Sequence, residues 1–197
     1  METSANVIIV RPVEARDAVQ LRENCFSANT LAEVEANVKQ RIQGFERGAL
    51  VHLVAEVEGI VVGTGMLTRN GHPFRAHRGT VGSLVVHPDY QRWGIGRCIV
   101  RAMHGYAADL GIEFLEIDCR GGTPAEQVYA RMGFVECGRF PRGLVEPWGE
   151  RCVFDEVSFY MPVEPCLAEH AKRGDGLTFE CILAKVAVAE PELRDGL

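Results

Sequence analysis

The chain reads VGSLVVHPDYQRWGIGR from Val81 to Arg97, and this stretch decides the fold. The apolar run Thr80–Val86 predicts a buried strand that stops before Pro88. A polar loop follows, and from Ile95 apolar residues recur at spacings of three and four as far as Leu110. This period predicts an amphipathic helix that Gly111 closes. The predicted order is therefore strand, glycine-containing loop, helix.

The loop has the properties of a phosphate-binding site. Gly94 and Gly96 flank the start of the helix, where backbone N–H groups lack partners and the helix dipole is positive. Glycine also lets the backbone approach an anion closely. Arg92 and Arg97 add positive charge locally, in a chain whose formal net charge is −6. The stretch thus predicts a pyrophosphate ligand.

Two common kinds of pyrophosphate site do not match this stretch. A P-loop requires a glycine, four further residues and then Gly-Lys-Ser or Gly-Lys-Thr, a string that the chain lacks. A dinucleotide-binding fingerprint requires G-x-G-x-x-G directly after the strand. Here the linker Pro88–Trp93 intervenes, and Ile99 occupies the third glycine position.

On both sides of this stretch the apolar pattern predicts further strands and helices. Upstream, the predicted elements are a strand at Asn6–Val13, helices at Val13–Asn24 and Thr30–Phe45, and a hairpin of Leu50–Glu58 and Ile60–Thr68. Thr30 followed by Glu33 is a capping-box pattern. Downstream, they are strands at Ile112–Cys119, Phe134–Cys137 and Cys152–Met161, a helix from Thr123 to Met132, and a loop at Phe140–Arg151.

In its motifs the chain resembles the Gcn5-related N-acetyltransferase (GNAT) family. The string Gln91-Arg-Trp-Gly94-Ile-Gly96 matches that family's Q/R-x-x-G-x-G/A signature. It follows a Leu-x-Val-x-Pro strand end at Leu84–Pro88. A second segment, Ala125–Phe134, matches the family pattern Ala-x-x-x-Tyr-x-x-x-Gly-Phe, with Tyr129 as its tyrosine. The two motifs occur in the expected order and cover about Thr80–Gly138.

The resemblance implies a role for each motif. The signature would hold the pyrophosphate of the co-substrate acetyl-CoA through Gln91, Arg92, Trp93, Gly94, Ile95, Gly96 and Arg97. The strand end, made of Leu84, Val85 and Val86, would pair with the pantetheine arm, and an N–H near Val86 would polarise the thioester carbonyl. Tyr129 would be the catalytic general acid that protonates the departing thiolate.

The chain departs from the family pattern at two positions. Many members carry a glutamate just before the strand-end leucine, where it relays a proton from the amine, but Ser83 stands here and cannot act as a base. An asparagine is common three residues before the motif alanine, where this chain has Gly122. The general base is therefore unassigned, and the candidates are His87, Glu56, Asp118 and Glu116.

The composition is that of a globular protein and argues against several other classes of protein. Apolar residues make up 47% of the chain and charged residues 24%, as in ordinary globular domains. The acidic balance lacks the basic field of nucleic-acid-binding proteins, and no stretch approaches the roughly 18 apolar residues of a membrane span. The seven cysteines, odd in number and without a C-x-x-C pair, argue against a disulfide framework and a zinc site. We expect a cytoplasmic protein with no metal and no nucleic-acid or membrane partner.

These observations give one expected fold and one expected activity. We expect a single α/β domain at residues 1–162, with a mixed, mostly antiparallel, twisted sheet of six or seven strands and helices on both faces. Its central strands should splay apart after the signature strand. Residues 163–197 form an extension, in which Leu167–Lys172 fits a helix and Leu177–Val188 fits a strand or a helix.

The expected reaction is acetyl transfer from acetyl-CoA to a primary amine, by direct attack of the amine on the thioester. We expect a small-molecule amine as the acceptor. Two alternatives stay open: an acetyltransferase that acts on protein N-termini or lysines, and a CoA-binding regulatory domain without turnover. The sequence also leaves homodimer formation open.

Overall fold

A computed structural model describes residues 7–146, 151–163 and 179–182. In chain order its elements are β1 (Val7–Pro12), α1 (Ala18–Asn24), α2 (Leu31–Glu46), β2 (Leu50–Val57), β3 (Ile60–Arg69), β4 (Arg78–Val86), α3 (Ile95–Asp109), β5 (Phe114–Arg120), α4 (Pro124–Met132), β6 (Val135–Glu146), β7 (Cys152–Pro162) and β8 (Phe179–Ile182).

The described strands form one mixed sheet in the order β6-β7-β5-β4-β3-β2-β1-β8. Among the described strands, only β4 and β5 pair in parallel. Seven of the strands lie within residues 7–162, which confirms the expected mixed and mostly antiparallel sheet. The eighth comes from the extension and pairs with Val7–Val10 of β1. The helix predicted at Leu167–Lys172 lies outside the described residues.

Helices cover both faces of the sheet, as predicted. On β2, Leu53 packs in one cluster with Met103 of α3, whereas the next residue, Val54, packs in another with Val38 of α2. Because both faces are covered, β2 and β3 are apolar at consecutive positions rather than at alternate ones. Among the described residues, no helix has the length and apolar content needed to cross a membrane.

The start of α2 and the end of α3 have the capping structures that the sequence predicted. The Thr30 hydroxyl accepts a hydrogen bond from the Glu33 N–H at 3.3 Å, and the Glu33 carboxylate accepts one from the Thr30 N–H at 2.8 Å. Helix α3 ends at Gly111, whose φ is +65°, while the Ile112 N–H donates to the Ala107 carbonyl at 2.8 Å. This is the Schellman arrangement that satisfies the last carbonyls of a helix.

The predicted loop at Phe140–Arg151 is wrong in its first half. Strand β6 continues to Glu146, which pairs with Cys152 of β7, and residues 147–150 lie outside the described ranges. Pro141 is tolerated because β6 is an edge strand and a register shift between Phe140 and Leu144 keeps the proline out of the ladder. The sequence analysis ended this strand at Cys137 and placed Pro141 within the loop.

A buried ion cluster joins β1, β2 and the start of the first helical segment. Two nitrogens of Arg11 each donate to the Asp17 carboxylate at 2.8 Å, and Arg11 Nη2 also donates to Glu56 at 3.0 Å. Asp17 is 3% exposed. Burial opposes its ionisation, but hydrogen bonds from Arg11 and from the Glu14 N–H outweigh burial and lower the pKa of Asp17.

Candidate active site

Strands β4 and β5 part near the middle of the sheet, as the sequence predicted. Their parallel ladder has only three residue pairs and ends at Thr80 and Glu116. Beyond this point β4 pairs with β3 as far as Val86, while β5 pairs with β7 as far as Arg120. The facing backbone edges of residues 81–86 and 117–120 therefore have no strand partner across the gap. Such edges can bind an extended ligand through main-chain hydrogen bonds.

A bulge in β4 directs its residues towards different faces of the sheet. The register against β3 shifts between Thr64 and Met66, and Ser83 in β4 has a φ of +49°. After the bulge, Leu84 and Val86 pack on the side of α3, and Val85 pairs with Thr64. Ser83 instead lines a cavity with residues of α2 and of the connection between α1 and α2. The two faces of the gap therefore have different surroundings.

The loop after β4 presents open N–H groups at the start of α3. The His87 N–H donates to the Val62 carbonyl at 2.8 Å, and Gln91 Nε2 donates to the Val86 carbonyl at 3.1 Å, which ties the loop to the strand end. Arg92 and Gly94 both have left-handed backbones, with φ values of +67° and +82°. Gly94 is the N-cap residue of α3, and no side chain caps the helix there. The helix N-terminus is thus available to an anion.

The remaining signature residues have distinct environments. Ile95 is 1% exposed and packs in the core, so only its backbone can reach a ligand. Trp93 is half-buried against the core, with its ring centroid 5.3 Å from that of Tyr90. Gly96 faces α4, because a Cβ atom added there would lie 3.1 Å from Met132 Cε.

A basic groove of about 390 Å³ lies between α3 and α4 beside this N-terminus. Arg97, Arg101 and Arg131 line it. Sequence analysis singled out Arg97 and missed the other two, although Arg97 and Arg101 are four residues apart and share one face of α3. These three guanidinium groups concentrate positive charge next to the predicted phosphate site, in a chain that is acidic overall.

Tyr129 on α4 stands over the part of β5 that has separated from β4. It is half-buried, with its ring centroid 6.1 Å from those of Phe134 and Phe159. Burial and then the nearby Cys119 thiol raise the pKa of Tyr129. Met132, which contacts Gly96, lies one helical turn further along α4. Helix α4 therefore faces the first turn of α3 through Met132, three residues after Tyr129.

The four candidate bases differ in the groups that they are already paired with and in their exposure. Glu56 and Glu116 are engaged in ion pairs with Arg11 and Arg78. His87 Nδ1 accepts a hydrogen bond from the Asp89 N–H at 3.3 Å. Asp118 is exposed and lies on β5 beyond the last β4 contact. Since successive strand residues alternate between faces, it projects away from Cys119 and onto the face of Ser83.

On that face lies a smaller cavity of about 230 Å³, which sequence analysis did not anticipate. It is lined by residues from the α1–α2 connection, from α2 and from the β4 bulge: Phe26, Asn29, Val34, Asn37, Arg41 and Ser83. Its lining is mostly polar. The cavity and the basic groove lie on opposite faces of the sheet, separated by the gap.

Comparison with known proteins identifies related domains. The family model for the acetyltransferase (GNAT) family matches residues 16–134. A search of curated proteins finds no match. A GNAT-family acetyltransferase from Streptococcus pneumoniae is 20% identical, with a TM-score of 0.65 over 79% of this chain and 99% of that one.

Two further solved structures resemble this chain at comparable sequence identities and TM-scores. A putative acetyltransferase from Salmonella typhimurium, solved with its cofactor acetyl-CoA, is 17% identical, with a TM-score of 0.66 over 85% of this chain and 98% of that one. A ribosomal-protein-alanine N-acetyltransferase from Brucella melitensis is 22% identical, with a TM-score of 0.64 over 78% of this chain and 98% of that one. At these identities the likeness shows a common fold.

Proposed function

Since the chain belongs to the GNAT acetyltransferase family, we propose that it transfers an acetyl group from acetyl-CoA to the primary amine of a small molecule. One observation supports the proposal: α3 begins after β4 without a capping side chain, and its residue Gly96 faces Met132 of α4, the helix that carries Tyr129. An anion site, an unpaired strand edge and a proton donor are the three features that this reaction requires.

The described residues fit acetyl-CoA, the ligand named for the Salmonella typhimurium neighbour. Backbone N–H groups of residues 91–97 would hold the pyrophosphate, because Gly94 starts α3 without a capping side chain. Arg97, Arg101 and Arg131 would balance further phosphate charge from the groove beside them. The free edge formed by Leu84, Val85 and Val86 would bind the pantetheine arm. When bound, acetyl-CoA supplies the activated acyl group.

The reaction requires two proton transfers. The amine nitrogen forms a bond to the thioester carbonyl carbon, the carbon–sulfur bond breaks, and the sulfur leaves as a thiolate. Tyr129 gives its hydroxyl proton to that thiolate, and its raised pKa keeps this proton in place at neutral pH. The amine loses a proton to a base, for which Asp118 and His87 stay candidates because, within the part of the chain that the structure describes, neither is paired with an arginine as Glu56 and Glu116 are.

Three further assignments belong to the same proposal. The cavity of about 230 Å³ favours a small acceptor over a protein terminus or lysine, which would need a broader groove. Residues 1–162 form the catalytic domain, and residues 163–197 form an extension. The location is the cytoplasm, a reducing compartment that suits cysteines such as Cys25, Cys137 and Cys152, which form no disulfide with another described cysteine.

The test is release of CoA from acetyl-CoA in the presence of amines, polyamines, amino acids and lysine peptides. Seven cysteines require a second readout that detects the acetylated amine itself. Turnover of a small amine supports the proposal, and turnover of peptides alone would assign the enzyme to protein acetylation. Binding of acetyl-CoA without turnover of any acceptor would favour a regulatory domain. Absence of acetyl-CoA binding would refute the proposal.

A further inference from the structure

The cavity on the α1–α2 face contains a cation, Arg41, that has no counter-ion among the described residues. Arg41 is half-buried in its wall. Within the described ranges, no carboxylate lies within ion-pair distance of Arg41. Arg11 shows the usual arrangement for a partly buried guanidinium, since two carboxylates bind it. Burying a charge without a partner is costly, so proteins rarely do it without a function.

The polar side chain of His52, which lies close to the Arg41 guanidinium, cannot serve as its anion. Arg41 Nη1 lies 3.5 Å from His52 Nε2, at the limit of a hydrogen bond. Thr64 Oγ1 lies 2.7 Å from the same nitrogen and gives its own hydrogen to the Leu53 carbonyl at 3.1 Å. His52 Nε2 must then carry a hydrogen and donate it to Thr64. It therefore offers Arg41 no lone pair.

His52 also carries no negative charge. Burial, followed by the charge on Arg41, lowers the pKa of His52 to about 3, so the ring is neutral at physiological pH. Burial also lowers the pKa of Arg41, and no described carboxylate raises it. Phe26 contributes a ring whose centroid lies 5.8 Å from Arg41 Cζ, which orients the guanidinium without neutralising it. The free donors of Arg41 are thus available to a ligand.

The rest of the cavity wall suits a small polar ligand. Asn29, Asn37 and Ser83 supply further polar groups, while Phe26 and Val34 supply an apolar side. Ser83 belongs to the same strand segment as Val86, near which the proposed reaction takes place. A volume of about 230 Å³ is below the usual range for drug-sized ligands, roughly 300–1,000 Å³, and suits a much smaller molecule.

We infer that Arg41 binds a carboxylate of the acceptor, so that the acceptor is an amino acid rather than a simple amine. Arginine is suited to this task because its planar fork can donate two parallel hydrogen bonds to one carboxylate. The inference rests on the proposed function, since it names the substrate class for the same site. It adds a specificity-determining residue that sequence motifs did not indicate.

The experiment compares amino acids with their carboxamides as acceptors. The common L-amino acids and the matching amino-acid amides are assayed with the full chain, and kcat and KM are measured separately. At least one amino acid should exceed its amide in kcat/KM by roughly tenfold to hundredfold, the range expected for a charge-assisted hydrogen bond. In Arg41→Ala this preference should disappear through a higher KM, with kcat nearly unchanged. Arg41→Lys should restore part of it.

Lys39→Ala is the matched control. Lys39 is an exposed cation two residues away on α2, so its removal changes the net charge equally but leaves the cavity intact. It should retain the full preference. Calorimetry with acetyl-CoA and the melting temperature accompany each variant, which separates a folding defect from a loss of recognition.

The outcomes are distinguishable from failure of the proposed function. The inference is overturned if amides or simple alkylamines react as well as amino acids, or if Arg41→Ala keeps the preference. It is also overturned if no amino acid reacts while acetyl-CoA binds. In each of these cases acetyl-CoA binding still supports the proposed co-substrate. If acetyl-CoA does not bind, the proposed function itself fails.

Discussion

Arg97 Nη2 donates a hydrogen bond to the main-chain carbonyl oxygen of Arg131 at 2.9 Å. This bond joins the first turn of α3 to the last turn of α4, where helix carbonyls have no partner within the helix. Arg97 therefore holds together the two helices that frame the basic groove. The loop signature and the second motif, which are separate in sequence, meet through this contact.

Two arginines of the groove should respond differently to mutation. Arg97→Ala should lower acetyl-CoA affinity by about tenfold and reduce the melting temperature by about 2–4 °C, because it removes both a charge and the bond to Arg131. Arg101→Ala should lower affinity by a few fold and leave the melting temperature unchanged. Calorimetry and thermal unfolding measure both quantities. Equal effects of the two variants on melting temperature would contradict a structural role for Arg97.

Substitution of Gly94 should affect both folding stability and acetyl-CoA affinity. The same substitution at a second glycine can separate these two effects. Gly94→Ala places a side chain at φ +82°, which costs about 1–2 kcal/mol in folding, and shifts the N–H groups at the start of α3. Gly59, in the β2–β3 turn, has the same φ and no atom within 4 Å of an added Cβ. Gly59→Ala should show a similar folding cost with unchanged acetyl-CoA affinity. Gly94→Ala should lose at least tenfold in affinity, and equal affinities in the two variants would exclude the loop as the anion site.

Loss of the Tyr129 hydroxyl should affect chemistry and not binding. Tyr129→Phe should reduce kcat by about 10²- to 10⁴-fold, the range for general acid catalysis, and leave acetyl-CoA affinity unchanged. Tyr160→Phe, on β7, is the control and should retain full kcat. Wild-type kcat in Tyr129→Phe would show that the residue serves only in packing.

The pH dependence provides an independent check on Tyr129. Burial raises its pKa above the usual value of about 10, so the hydroxyl stays protonated at least to that pH. Loss of the acid should therefore not reduce kcat below pH 10. A descending limb centred near pH 8 that disappears in Tyr129→Phe would contradict the assigned environment.

The ion pair between Asp17 and Arg11 should make the free energy of unfolding depend on pH in the acidic range. The pKa of Asp17 is lowered in the folded state, so its contribution is complete above the unfolded pKa of about 3.9 and is lost as pH falls through the folded value. Asp17→Asn should cost about 3 kcal/mol at pH 7, since Arg11 loses a buried partner, and the difference from wild type should shrink below pH 4. Denaturant unfolding at several pH values measures this.

Glu136→Gln is the matched control for that prediction. Glu136 pairs with Arg139 on the exposed edge strand β6, so its replacement should leave stability nearly unchanged at every pH. A constant difference between Asp17→Asn and wild type from pH 7 to pH 2 would show that the hydrogen bonds of Asp17 do not depend on its charge.

Sequence analysis was sufficient where one local signal determines one local structure. The capping pattern of Thr30 and Glu33 and the glycine that follows α3 both appear as predicted. The parting of β4 from β5 also appears, but that expectation came from the family resemblance. It failed at Pro141, because the effect of a proline depends on whether its strand lies at the edge of a sheet, which is a tertiary property. It also could not identify Arg41, since an arginine on a helix is usually solvated. Only the packing of α2 against β2, and the cavity that Arg41 shares with Ser83, reveal an arginine without an anion among the described residues.

Strand β8 has a practical consequence for anyone who handles this protein. It pairs with Val7–Val10, the sequence Val-Ile-Ile-Val, which would otherwise be the free outer edge of the sheet. An exposed edge of four branched apolar residues is a template for intermolecular strand pairing. A version shortened to residues 1–163 would keep every residue assigned to catalysis and yet be prone to precipitate. Purification tags and cleavage sites are therefore better kept away from the segment that precedes β8, and shelf life should be judged on the intact chain.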